Sequence, residues 1–216
     1  IKNSAELSGY TFIDINPQLS IDEAERLVNI DLNINEGPRV YVNEINIVGN
    51  TRTVDKVVRR EFSLTEGDAY NKFAINYSSD SIRALNFFSE VDVKEIRTKF
   101  PDKINLEIQV EEKNTGEASL GAGYSSATST SLNIGLKETN FLGKGQKVNF
   151  TSSFSNTRNT YDISYTEPYF NNKELALTGS LYSNFTDPSS SNYETEDLGL
   201  GVKAQFPIAS NTFLET

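Results

Sequence analysis

Arg59, Arg60, Glu61 and Glu66 bring two guanidinium groups and two carboxylates into one short stretch of the chain. Residues of these types hold ion pairs or dock onto charged partners, because a guanidinium fork matches a carboxylate in shape as well as in sign. The solvated surface of a helix uses the same residues, so both readings stand at this stage. A second charged group, Glu194, Glu196 and Asp197, lacks the ligand spacing of a calcium loop and reads as ordinary loop charge. The chain has no Cys, His, Met or Trp. That removes the usual zinc and haem ligands, the thiol nucleophile and the commonest general base, so neither a cofactor nor enzymatic chemistry is expected. The net charge is −10 and no stripe of Lys and Arg offsets it, so nucleic acid is not an expected partner. The lack of cysteine fits an oxidising compartment and the cytosol equally.

The elements that must position these residues fall into two parts. Before Asn114 there are 14 Lys/Arg and 20 Asp/Glu; after it there are 6 and 10. No stretch approaches the ~20 apolar residues that a membrane-spanning helix needs, and the mean hydropathy is −0.45. The segment Ile1 to Leu7 has neither the basic start nor the apolar run of a signal peptide, and the chain is expected to be cut from a longer one.

After Asn114 nearly half the residues are Gly, Ser, Thr or Asn, yet apolar residues recur at every second position. Ala118, Leu120, Ala122 and Tyr124 alternate with Glu117, Ser119, Gly121 and Gly123. The same parity holds for Leu132, Ile134 and Leu136; Val148, Phe150 and Phe154; Tyr161, Ile163 and Tyr165; Leu175, Leu177, Leu181 and Phe185; and Leu198, Leu200, Val202 and Phe206. This predicts six strands, each with one oily and one wet face. A soluble antiparallel sandwich would share the alternation. Two features favour an outer-membrane barrel: aromatic residues near strand ends (Phe141, Tyr169, Phe170, Phe206), and compact links at Gly143–Gly145 and Asn171–Lys173 against a longer serine-rich link at Asp187–Thr195.

Residues 38–113 predict a soluble βααββ unit able to close a core without lipid. Val40–Val48 is the first strand, and Thr53 is the N-cap of a helix through Phe62 with Val54, Val57 and Val58 inward. A second helix is expected from Asn71 to Leu85 with Tyr77, Ile82 and Leu85 inward. Val91–Arg97 and Ile104–Val110 then form a hairpin around Pro101 and Asp102. Residues 1–37 repeat the end of this pattern, with a strand at Thr11–Leu19, a connection through Ile21–Glu25 and a strand at Leu27–Ile34. Asn33–Gly37 parallels Gln109–Lys113, an internal repeat whose first copy lacks its front half.

Val48–Thr51, Arg59–Phe62 and Leu85–Val91 resemble the hallmark stretches of a POTRA domain. Glu111–Gly116 leading into Gly121, Gly123 and Tyr124 resembles the junction at which the last POTRA domain of BamA-type outer-membrane assembly factors enters the barrel. Asn140–Gly145 and Tyr165–Phe170 resemble early barrel turns of that family. The likeness covers essentially the whole chain. It departs at Asn86, where the family usually has glycine at the helix end, but Asn tolerates the left-handed conformation that this cap needs.

The resemblance implies an α+β POTRA domain followed by antiparallel transmembrane β-barrel strands forming a partial barrel. Residues 1–37 would end one POTRA domain, 38–113 would form the last before the barrel, and 114–216 the first six or so barrel strands. It implies assembly and insertion of β-barrel proteins at the outer membrane of a Gram-negative-type bacterium, with residues 1–113 in the periplasm. The expected partners are unfolded outer-membrane clients, periplasmic assembly lipoproteins and outer-membrane lipid. Clients would pair with POTRA edges and with a barrel seam at Gly116–Ser126, where Gly116, Glu117, Ser119, Gly121 and Gly123 lie. Glycines there would loosen the strand or merely relieve crowding. Arg59, Arg60, Glu61 and Glu66 would form the partner-docking patch. A two-partner-secretion translocase or a passive porin with a periplasmic anchor would share the architecture.

Overall fold

The structure, a computed structural model, describes residues 14–22, 27–35, 39–125, 129–187, 193–209 and 212–215. It divides into one unit of residues 1–51 and 58–112 and a second of residues 52–57 and 113–216. No helix among the described residues is long and apolar enough to cross a membrane.

The first unit opens with an antiparallel hairpin, β1 (Asp14–Asp22) and β2 (Leu27–Asn35), in the register Ile15–Ile34, Leu19–Ile30 and Ile21–Val28. Ile21 and Asp22 are therefore strand, not connection. Residues 11–13 of the expected first strand, 23–25 of the connection and 36–37 of the repeat lie outside the described residues.

The βααββ order is present as β3 (Tyr41–Val48), α1 (Asp55–Arg59), α2 (Lys72–Ala84), β4 (Phe88–Arg97) and β5 (Lys103–Glu112). The sheet order is β3-β5-β4, with β3 parallel and β4 antiparallel to β5. β5 is central, so its alternation is the strictest: Ile104, Leu106, Ile108 and Val110 are all buried. They pack in a core with Val42, Ile45, Phe62, Ile75, Ile82, Phe87, Phe88 and Val91.

Three helix expectations need correction. The first helix stops at Arg59, because Glu61 and Phe62 donate to Val58 and Arg59, three residues back, and tighten the chain into a 3-10-type turn. Val57 and Val58 are buried, but Val54 precedes the helix and is 42% exposed. On α2 the buried stripe is Ile75, Ser78, Ser79 and Ile82, which leaves Tyr77 off the stripe and 69% exposed. Small serines allow close approach there, and the Ser78 hydroxyl is satisfied by accepting from Ser63 N (2.9 Å) and donating to Ala74 O (2.7 Å).

The caps explain the helix bounds. Asn71 Oδ1 accepts from Phe73 N (2.9 Å) and Ala74 N (3.2 Å) at the start of α2. Asn86 takes φ 62° just past its end, the left-handed residue that terminates the helix.

The second unit is an antiparallel sheet of seven strands paired in chain order: β6 (Gly116–Ser125), β7 (Ser129–Phe141), β8 (Gln146–Ser155), β9 (Arg158–Glu167), β10 (Ala176–Thr186), β11 (Thr195–Ala209) and β12 (Thr212–Glu215). The six predicted strands are joined by a seventh, the short β12, beyond a bulge at Pro207–Ala209. Its four residues are too few to display an alternation. The tight link after β7 uses left-handed Leu142, Gly143 and Gly145, and that after β9 uses left-handed Asn171 and Asn172. Residues 188–192 of the serine-rich link lie outside the described residues.

Candidate functional site

The registers turn alternation along each strand into rows across the sheet. Ala118, Leu136, Phe150, Ile163, Leu181 and Leu200 are neighbours on six successive strands. Leu136, Ile163, Leu181 and Leu200 are exposed, so this apolar row faces away from any protein core. The next row, on the opposite face, is Ser119, Gly135, Thr151, Asp162, Tyr182 and Gly199. Strands β6 and β8 to β10 have 10 or 11 residues each, close to the ~9–11 that a tilted strand needs to cross hydrocarbon. A soluble sandwich would bury one face against a second sheet; this sheet instead has an exposed apolar face and a polar opposite face, the arrangement of a lipid-facing barrel wall.

Glycines on the polar face make room for side chains. A Cβ on Gly135 would lie 2.5 Å from Ser119 Oγ, and one on Gly199 would lie 2.2 Å from the Tyr182 ring. In β6, whose side chains are exposed throughout, the three glycines differ. A Cβ on Gly116 would meet Glu138 Oε2 at 3.0 Å and one on Gly123 would meet Ser131 Oγ at 3.3 Å, whereas Gly121 has only Asn133 Cβ at 4.0 Å. None of the three has the positive φ that would demand glycine. A Cβ would thus press on a neighbouring side-chain end at Gly116 and at Gly123 but not at Gly121. Ser119 and Glu117 sit opposite Gly135 and Lys137, and Ser126 of the expected seam lies outside the described residues.

Segment 52–57 belongs to this second unit, held by a buried amide. Asn140 Nδ2 donates to Thr53 Oγ1 (2.8 Å), Asn140 Oδ1 accepts from Gly145 N (2.7 Å), and Val54 N donates to Gly143 O (2.9 Å). The sequence signal for this contact was only the turn-like spelling of 140–145; its partner, 87 positions away, carries none.

Of the charged patch, the fold brings Arg59 to Glu66 (2.8 Å) and leaves Arg60 with its neighbour Glu61 (3.4 Å). Side-chain exposure is 45% and 44% for the first pair but 16% and 15% for the second, so only the first presents its charges openly. Arg59 also donates to the backbone oxygen of Ile45 through Nη2 (2.9 Å). Glu66 is held below its ordinary value of 4.5, first by its own backbone N–H, then by the Arg59 side chain, with the Ile45 N–H adding a smaller share. Glu66 lies in a turn, Thr65–Asp68, in which Asp68 Oδ2 accepts from Thr65 N (2.7 Å) and Oγ1 (2.9 Å). Those bonds hold Asp68 below its ordinary 3.8 as well.

Both carboxyls are depressed in the folded state, so their stabilising contribution is complete above the ordinary carboxylate values and is lost as pH falls through and below them. Melting of residues 38–113 is expected to shift down between about pH 5 and about pH 3, and Glu66→Gln should flatten part of that shift. Parallel melting profiles for the two proteins would remove Glu66 from the account.

The sequence matches two family models, "POTRA: Surface antigen variable number repeat" over residues 40–113 and the Omp85 superfamily domain over residues 140–215. A POTRA domain followed by outer-membrane barrel strands defines the class, and the chain belongs to the Omp85 superfamily. It is 30% identical over 214 residues, 96% of its length, to the outer membrane protein assembly factor BamA of Neisseria meningitidis. It is also 30% identical over 174 residues, 81% of its length, to the factor of the same name from Nitratidesulfovibrio vulgaris. The crystal structure of BamA from Haemophilus ducreyi lacking POTRA domains 1–3 matches 99% of the chain with TM-score 0.82 at 27% identity. Within the superfamily the chain is of the BamA type, an outer-membrane protein whose POTRA part is periplasmic. It spans 27% and 22% of the two curated relatives and 41% of the crystallised chain.

Proposed function

We propose that the parent protein folds and inserts β-barrel proteins into the outer membrane, without a cofactor and without enzymatic chemistry. The observation that carries this reading is the similarity to BamA assembly factors along nearly the whole chain, POTRA domain and barrel strands together in one order. In the proposed division, residues 1–37 close one POTRA domain, 38–113 form the next and 114–216 begin the barrel. The polar and apolar rows support outer-membrane lipid as one partner, because hydrocarbon covers an exposed aliphatic face without the cost of contact with water.

Clients are the proposed second partner, captured as extended strands at POTRA edges and at β6. Backbone N–H and C=O groups of a strand edge pair with any extended chain, whatever its side chains, which suits a machine with many clients. Gly121, free of crowding, is the residue of β6 whose lack of a side chain fits a yielding seam. Glu117, Ser119, Gly116 and Gly123 complete the proposed seam. Periplasmic assembly lipoproteins are the third partner, with Arg59 and Glu66 as the open part of their docking patch and Arg60 and Glu61 as its covered part.

Disulfide trapping in the full-length parent tests the seam. Single cysteines along β6 are expected to crosslink to cysteines in the terminal strand of a stalled client. Crosslinks confined to the POTRA surface would refute capture at β6, and solute flux without client binding would mark a porin.

A further inference from the structure

An edge strand exposes a row of unsatisfied N–H and C=O groups, and β3 is one outer edge of the β3-β5-β4 sheet. A bulge between Val42 and Glu44 lets Val42 and Ile45, three positions apart, both turn their backbone groups outward. At the first, Val42 N donates to Asp68 O (2.9 Å) and Val42 O accepts from Gly67 N (2.8 Å). At the second no backbone reaches. There Arg59 Nη2 donates to Ile45 O (2.9 Å), and Arg59 Nη1 ties that guanidinium to the Glu66 carboxylate at 2.8 Å. The guanidinium thus faces the Ile45 carbonyl where a neighbouring strand would offer an N–H. The turn that delivers Glu66 is fixed by the Asp68–Thr65 bonds and by Gly67 at φ +96°.

We propose that the Arg59–Glu66 pair is a side-chain latch on a strand-addition edge: it satisfies the Ile45 carbonyl in place of a strand and keeps β3 closed to extended polypeptide segments. The partner class follows from the group exposed when the latch is removed, the Ile45 carbonyl on the outer edge of β3, with which an extended chain can pair. The guanidinium suits this place because its fork serves a carboxylate with one nitrogen and a carbonyl with another. An ammonium at position 59 offers a single nitrogen. The inference does not depend on the assembly reading, since it concerns only what β3 can bind.

The test uses the whole chain in detergent micelles with a photoreactive benzophenone side chain at Asn46, beside Ile45. The probe is a synthetic strand-forming peptide of alternating valine and threonine, about ten residues long. Crosslinking is expected in Arg59→Ala/Glu66→Ala and not in the parent chain. Arg59→Lys, which keeps the charge but not the fork, should crosslink at an intermediate level, and it carries the test if the double variant does not fold. Equal crosslinking in the parent chain, or none in a folded variant, overturns the latch.

Discussion

Proline at Ser119 or at Ala118 is expected to abolish the work of β6, by different routes at the two positions. Consecutive residues of a strand point their N–H groups to opposite edges, so one of the two N–H groups faces β7 and the other faces outward. Proline removes an N–H and its ring crowds the neighbouring chain. At the inward position it breaks the β6–β7 ladder, which pairs Ala118 with Leu136 and Ser119 with Gly135. At the outward position the sheet survives and only client pairing is lost. In cells depleted of the native protein, both variants should fail to support barrel assembly, with activity down about a hundredfold for about 3 kcal/mol of lost pairing. Ser119→Ala should be tolerated, since its hydroxyl makes only a long contact of 3.5 Å with Gly135 O. Full activity of both proline variants would show that β6 is a wall strand and not a seam.

Gly49→Ala is expected to unfold the POTRA domain at ordinary temperatures. Gly49 has φ +93°, and a Cβ there would sit 1.9 Å from the backbone oxygen of Val110. Backbone cannot yield as a flexible side chain can, and Val110 belongs to the central strand β5. The left-handed strain alone costs about 1–2 kcal/mol, and displacing β5 from the core that it shares with β3 and β4 adds several more. Small domains have about 5–15 kcal/mol to lose. The expected readout is loss of the cooperative melting transition. Gly67→Ala is the control: its φ is +96° but nothing lies within 4 Å of the added Cβ, so it should cost only about 1–2 kcal/mol. Equal melting points for the two variants would mean that β5 moves more freely than its burial indicates.

The alternation of Leu132, Ile134 and Leu136 with polar neighbours was enough to predict β7, and the same reading located β3, β4, β5 and the other long barrel strands. Asn86 was legible as a helix end because few residues accept φ 62°. The inward face of α2 was legible at Ile82, which is buried, but not along the rest of the stripe. Ser78 and Ser79 carry no apolar signal, so Tyr77 drew the stripe to the wrong side. The charged patch was legible as composition but not as two separate pairs, because proximity in sequence does not tell which guanidinium the turn at Glu66 will meet.

Local rules therefore determined most of this protein: strand period, turn residues, helix caps and the change of composition at Asn114, all of which act over a few neighbouring residues. The tertiary structure decided what depends on register and on distant approach. Only the registers show that Leu136, Phe150, Ile163 and Leu181 form one row, since a shift by one residue would turn a strand's oily face inward. Only the bulge at Val42–Glu44, together with the turn at Thr65–Asp68, brings Arg59 onto the backbone of Ile45 and Glu66 onto Arg59. That contact is set by loop closure and core packing, whose energies are summed over the whole fold and leave no mark at any single position.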